Sequence, residues 1–230
     1  MTRKTITYEF WRGSVDGAPV MALAAGLGTP STNRKTGVMV QTYILRRDMK
    51  PIEASNTGAD SAICGDCPLR PTMVAPGAAV CYVNKGWLTG MWESWRDGNV
   101  PRISPDKLGD IIEASGLGVR QGAYGDPAVV PTSVWAQLDH GRGTSYTHQW
   151  RTANPSLALF AMASVQSTAE MVEANAMGYR TYRVDLDGIG AQPNEIECPN
   201  TTRGVTCAQC GLCNGNRSGA KNIFVKPIRR

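Results

Sequence analysis

Seven cysteines fall into two compact groups, and this grouping constrains the chain more than any other feature. The first group reads Cys64-x2-Cys67-x13-Cys81, within AICGDCPLRPTMVAPGAAVCYV. The second reads Cys198-x8-Cys207-x2-Cys210-x2-Cys213, within ECPNTTRGVTCAQCGLCNGN. An odd count argues against a closed disulfide framework, and MTRKTITYEFWR carries no apolar stretch of the kind a cleaved signal peptide needs. A CxxC step lets two sulfurs reach one metal, and a CxxCxxC run wraps three thiolates round a compact centre. With a remote fourth cysteine this is the local pattern of a cubane [4Fe–4S] ligand loop. Cys198 can supply that fourth ligand.

Zinc is the alternative metal, but its sites favour paired CxxC knuckles or CxxC with histidines. The chain has only two histidines, His140 and His148. The first group, with three cysteines and no evident fourth, admits three arrangements. A zinc site would recruit Asp66 or a distant histidine. A three-thiolate cube would leave one iron open to a small molecule. A joint site would combine Cys64 and Cys67 with Cys210 and Cys213.

Around these groups the chain reads as a folded α/β protein. Hydrophobic residues are 42% and charged residues 19%, which excludes wholesale disorder, and no apolar run reaches the length of a membrane span. Alternation and β-branched or aromatic content predict strands at 5–12, 38–47, 118–126, 143–150, 157–165 and 179–185. Helices are expected at 85–98, after Ser104-Pro105, at 131–140, and after the capping box opened by Ser167. GLGTPSTNRKTG (26–37) is a polar loop without the GK[ST] of a P-loop, and 48–81 reads as loop. Strand–helix alternation predicts a parallel sheet or partial barrel over 1–185. A loop-dominated, metal-binding extension over 186–230 would pack on that core. From Thr201 onward there are six basic residues and no acidic one. Such a tail could attract phosphate or offset a thiolate-ligated metal.

In such folds chemistry gathers at the C-terminal ends of the strands. That rule nominates Gly125 and Asp126, then His148 with Arg151, then Ser164, with Asp185 and Asp187 beyond.

A cysteine loop ending in Cys81-Tyr82, then a helix, then a strand ending Gly125-Asp126-Pro127, resembles the barrel plan of the radical S-adenosylmethionine superfamily. There the usual spacing is CxxxCxxC rather than the spacing found here. The resemblance implies a [4Fe–4S] cluster on Cys64, Cys67 and Cys81, with S-adenosylmethionine at its open iron and Gly125, Asp126 and Ser164 near the cofactor. It also implies an auxiliary cluster on Cys198, Cys207, Cys210 and Cys213. The segments NRKTGVMVQTYILRR, CGDCPLRP, GAYGDPAVVP, SYTHQWR and TCAQCGLCNG are similar to an uncharacterised group of bacteriophage proteins, some labelled rolling-circle replication initiators. His140 and His148, eight apart, do not form the His-hydrophobic-His pair such initiators use.

The expectation is therefore a cytoplasmic protein, in the host cytoplasm if phage-encoded, with one or two [4Fe–4S] clusters. Asp126, His148 and Arg151 would hold a small-molecule or nucleic-acid substrate. The competing expectation is a zinc-stabilised nucleic-acid-binding protein acting in phage DNA replication or takeover.

Overall fold

The computed structural model describes residues 6–29, 31, 33–75, 81–217 and 219–226. Thr5, at the start of the first expected strand, and Arg229 and Arg230 of the basic tail lie outside the described residues. The chain is α/β, with a nine-stranded, mostly parallel sheet flanked by helices. Among the described residues no helix is long and apolar enough to cross a membrane.

The sheet begins with β1 (Ile6–Val15), β2 (Ala18–Leu27) and β3 (Met39–Arg46), paired antiparallel. Asp16 and Gly17, both at positive φ (48° and 81°), turn the chain between β1 and β2. This is the Asp-Gly turn that matches the twist of a hairpin. From β3 onward the pairing is parallel, through β4 (Gly118–Tyr124), β5 (Thr144–Thr147), β6 (Met162–Val165) and β7 (Thr181–Val184). The sheet ends with β9 (Asn222–Val225), then β8 (Glu195–Glu197) at the edge. The nine strands exceed the six expected because β2 is a continuous apolar run without alternation, and because β8 and β9 are three and four residues long. The cysteine-rich segment 186–230 thus supplies two strands of the sheet itself.

Strands β3 to β7 lie side by side in chain order, so every crossover steps the same way. Right-handed crossovers then place the connecting helices on one side of the sheet. Helices α1 (Pro51–Thr57), α2 (Ser61–Cys64), α3 (Lys85–Arg96) and α4 (Pro105–Ser115) precede β4, and α5 (Thr132–Leu138) precedes β5. Leu108 and Ile112 of α4, and Val134, Trp135 and Leu138 of α5, share one buried core with Val40, Ile44, Val119 and Ala123. Since successive side chains in a strand point to opposite faces, Arg120, next to Val119, projects from the other face.

Helix α6 (Thr168–Ala176) starts as its sequence requires: the Ser167 hydroxyl accepts the Glu170 N–H at 3.2 Å, and a Glu170 carboxylate oxygen accepts the Gln166 N–H. Two local expectations need correction. Residues 48–81 are not loop alone, because Pro51 sits at the first turn of α1 and Gly58 ends it at φ 81°. Residues 157–165 are not one strand: Pro155, with Asn154 accepting the Ser156 N–H at 2.9 Å, forms a 3₁₀ turn over Pro155–Leu159 before β6 begins.

Gly125, which follows β4, is required by geometry. Its φ is 77°, and a Cβ there would lie 2.7 Å from the Ile44 Cβ. We expect Gly125→Ala to lower stability by about 2–4 kcal/mol, from left-handed strain plus overpacking, measured by urea unfolding. An unchanged midpoint would contradict this close packing.

Candidate metal-ligating and substrate site

The first thiol group is built by α2 and the turns after it. Helix α2 ends at Cys64, and Gly65 at φ 53° redirects the chain. The Cys67 N–H returns to the Cys64 carbonyl at 3.2 Å, and the Cys81 N–H reaches the Leu69 carbonyl at 2.8 Å. Buried Arg70 pins this loop, donating to the Asp60 carboxylate (2.9 Å) and to the carbonyls of Gly65 (3.0 Å) and Gly58 (2.6 Å). The three thiols therefore share one neighbourhood. Burial pushes the Cys64 thiol well up, and the charges of Asp60, Cys67, Cys81 and Asp126 add to the rise. Cys67 is pushed up to about 11, by burial first and then by Cys81 and Asp126, against the Leu69 N–H and Arg70.

Buried Tyr124 adds an independent observation. Its hydroxyl has no hydrogen-bond partner. Burial raises its pKa, and the charges of Cys64, Asp60 and Cys81 raise it further. A buried hydroxyl without a partner costs free energy, and a sulfur of a metal centre on Cys64 could accept its hydrogen bond. Thiolates crowded together are stabilised by a shared cation. The donor set and the orphaned hydroxyl both fit a metal centre.

The second group lies on the sheet face opposite the helices. Cys213 packs with Met162 of β6 and Ile223 of β9, bordered by Tyr146, Tyr182, Ile196, Cys198 and Leu212. Cys198 precedes the short helix α7 (Pro199–Arg203). Thr206 and Gln209 cap α8 (Cys207–Cys210), and Gly211 closes it in the left-handed region. The end of the polar loop 26–37 holds this segment: the N–H groups of Cys207 and Ala208 donate to the carbonyls of Lys35 (2.8 Å) and Thr36 (2.9 Å). Arg180 fastens the far side through the carbonyls of Leu212, Gly215 and Lys221. Cys213 is pushed up to about 12, by burial and by repulsion from Cys207, Cys198 and Cys210, against a Tyr146 hydrogen bond.

The charges of Cys67 and Cys81 act on Cys64, and those of Cys198, Cys207 and Cys210 act on Cys213. All seven cysteines are free. Among the described residues, no three His, Cys, Asp or Glu side chains are drawn closely enough to hold one ion as they stand.

The strand-end residues separate into two roles. A cleft of about 280 Å³ is lined by Asp66 and Pro68 of the first thiol loop and by His148, Gln149, Arg151, Ser164, Gln166 and Glu170, among others. Asp126 and Gly125 do not line it. The buried Asp126 carboxylate accepts from the Thr147 hydroxyl (2.7 Å) and from the N–H groups of His148 (2.8 Å) and Ala128 (3.0 Å). Its own N–H reaches the Ile63 carbonyl at 2.6 Å. Asp126 thereby ties the ends of β4 and β5 to the first thiol loop, and burial raises its pKa to about 6. Gln149 makes a second tie, donating to the Cys64 carbonyl at 3.3 Å. The Arg151 charge is engaged by Glu173 (2.7 Å) and Glu170 (3.6 Å), with its guanidinium 3.9 Å above the Trp150 ring. Asp185 belongs to a buried network with Arg183 and Glu195, away from the cleft. The sequence reading passed over Arg120, and its one available signal was a cation inside an otherwise uncharged strand.

Burial lowers the His148 pKa from 6.5 to about 4, with Glu170 opposing. A depressed histidine contributes stability above pH about 6.5 that is lost as the pH falls toward 4. We expect His148→Gln to flatten the loss of stability between those values relative to the parent, by urea unfolding. Parallel curves would contradict a buried neutral imidazole.

No family model, curated protein or solved structure matches the chain.

Proposed function

We propose that this is a cytoplasmic iron–sulfur protein, of bacteriophage origin as the resemblance implies, with two centres on one sheet. Cys64, Cys67 and Cys81 would hold a three-thiolate cluster, and Cys198, Cys207, Cys210 and Cys213 an auxiliary one. The observation that supports the reading is that one loop presents Cys64, Cys67 and Cys81, while Cys198 packs beside Cys213 in a second place on the sheet. Iron is favoured over zinc by the triple CxxCxxC run of the second group.

The cleft beside the first centre gives the reading its enzymatic form. By resemblance, Cys64, Cys67 and Cys81 would hold a cluster and the cleft beside it would take S-adenosylmethionine, which together would supply radical chemistry. The chain's own groups prepare that place. Asp126 and Gln149 hold the strand ends against the Cys64 loop. His148 is neutral at pH 7 and offers a ring nitrogen to a substrate proton or hydroxyl. Ser164 supplies a hydroxyl at the cleft wall. Arg151, paired with Glu173 and Glu170, shapes the cleft as an ion-paired wall rather than as a free cation.

The test is metal and acid-labile sulfide content after anaerobic purification. We expect a brown protein with about eight irons per chain. A Cys64→Ser/Cys67→Ser/Cys81→Ser variant should retain about four, and so should a Cys207→Ser/Cys210→Ser/Cys213→Ser variant. A colourless protein with stoichiometric zinc would overturn the reading.

A further inference from the structure

We propose that the sheet face opposite the helices carries an oxyanion-binding site centred on Arg120, which takes the phosphate or carboxylate group of a substrate. This deepens the enzymatic reading by naming the substrate's chemical class. The two fail separately, one in metal content and the other in anion binding.

Arg120 sits half-buried in the middle of β4, flanked by β3 through Gln41 and by β5 through Thr144. Its hydrogen bond among the described residues goes to the Tyr82 hydroxyl at 2.6 Å, and no carboxylate there pairs with it. Two other inward-facing arginines differ. Arg70 meets Asp60 at 2.9 Å, and Arg183 meets Asp185 at 2.8 Å and Glu195 at 2.7 Å. A guanidinium drawn out of water without an opposite charge is costly. The groups acting on Arg120 are Tyr82, Tyr146 and Cys207, and Tyr43 also feels its charge. At neutral pH phenols are uncharged and donate hydrogen bonds as readily as they accept them.

One positive fork bonded to the Tyr82 hydroxyl, with no carboxylate beside it among the described residues, is the chemistry that recognises an oxyanion. The guanidinium has five donors, and the Tyr82 contact uses one, which leaves the planar pairs that match phosphate or carboxylate. The site is open on one side. Tyr82 is 66% exposed, and Trp87, 52% exposed, meets the Tyr43 ring edge-on at 5.2 Å. Position adds to the case: Tyr82 follows Cys81 of the first thiol group directly, while Cys207 belongs to the second. An anion held at Arg120 would lie between the two groups.

The competing role for Arg120 is counter-charge to thiolates at Cys207. The experiment separates the two on anaerobically purified, metal-loaded protein, by calorimetric titration with inorganic phosphate, a nucleoside monophosphate, its parent nucleoside, and acetate. The first and last distinguish phosphate from carboxylate, and the nucleoside tests binding without the anion. We expect one or both anion classes to bind and the nucleoside not to. Arg120→Gln should weaken anion binding about ten- to hundredfold, with partial recovery in Arg120→Lys and metal content unchanged. Tyr82→Phe changes an exposed residue and tests the site even where Arg120→Gln fails to fold; it should weaken binding by a smaller factor. Absence of anion binding by the parent at millimolar concentration would overturn the proposal. So would equal affinity in Arg120→Gln, or a loss of metal without a change in anion affinity.

Discussion

The geometry rests on five parallel strands laid side by side in chain order. Because β3 to β7 never reverse direction across the sheet, their crossovers gather the helices on one face. That face buries the main apolar core. The other is left to side chains and loops: Arg120, Tyr146, Tyr182 and Cys213 occupy it, and Met162 and Ile223 supply the apolar floor. A doubly wound order would have covered both faces with helices and left the second thiol group no sheet surface.

On that frame, polar contacts set the positions of the thiols. Arg70 fixes the first loop through one carboxylate and two carbonyls, and Arg180 fixes the second through three carbonyls. The loop 26–37 serves as a rail for Cys207 and Ala208. Asp126 and Gln149 link the strand ends to Cys64, so the cleft and the first thiol group form one structure. The thiols are held close where burial and mutual repulsion disfavour their charged forms. In the proposed reading a bound metal would relieve that conflict.

Much of this was legible because its signals are local. The cysteine groups declare themselves by spacing, and β3, β4 and α6 by alternation and by the Ser167 capping box. The strand-end rule brought His148, Arg151 and Ser164 to one cleft. Longer-range features were hidden. β2 is a run of alanine and other apolar residues buried along almost all its length, so it lacks the alternation of a half-exposed strand. The short helices α1 and α2 disappear among turn residues. Asp126 reads as a site residue from its place after β4, yet its carboxylate is consumed by Thr147, His148 and Ala128. Arg120 could be valued only once the sheet order showed which face it projects from and which carboxylates are missing there.

The central claim is that grouped thiols hold inorganic iron, and X-ray absorption on the anaerobically purified chain addresses it most directly. The account predicts an iron edge with a first shell of sulfur and a second shell of iron, as in a cubane cluster. A zinc edge with a sulfur shell alone, or iron surrounded by nitrogen and oxygen, would contradict it.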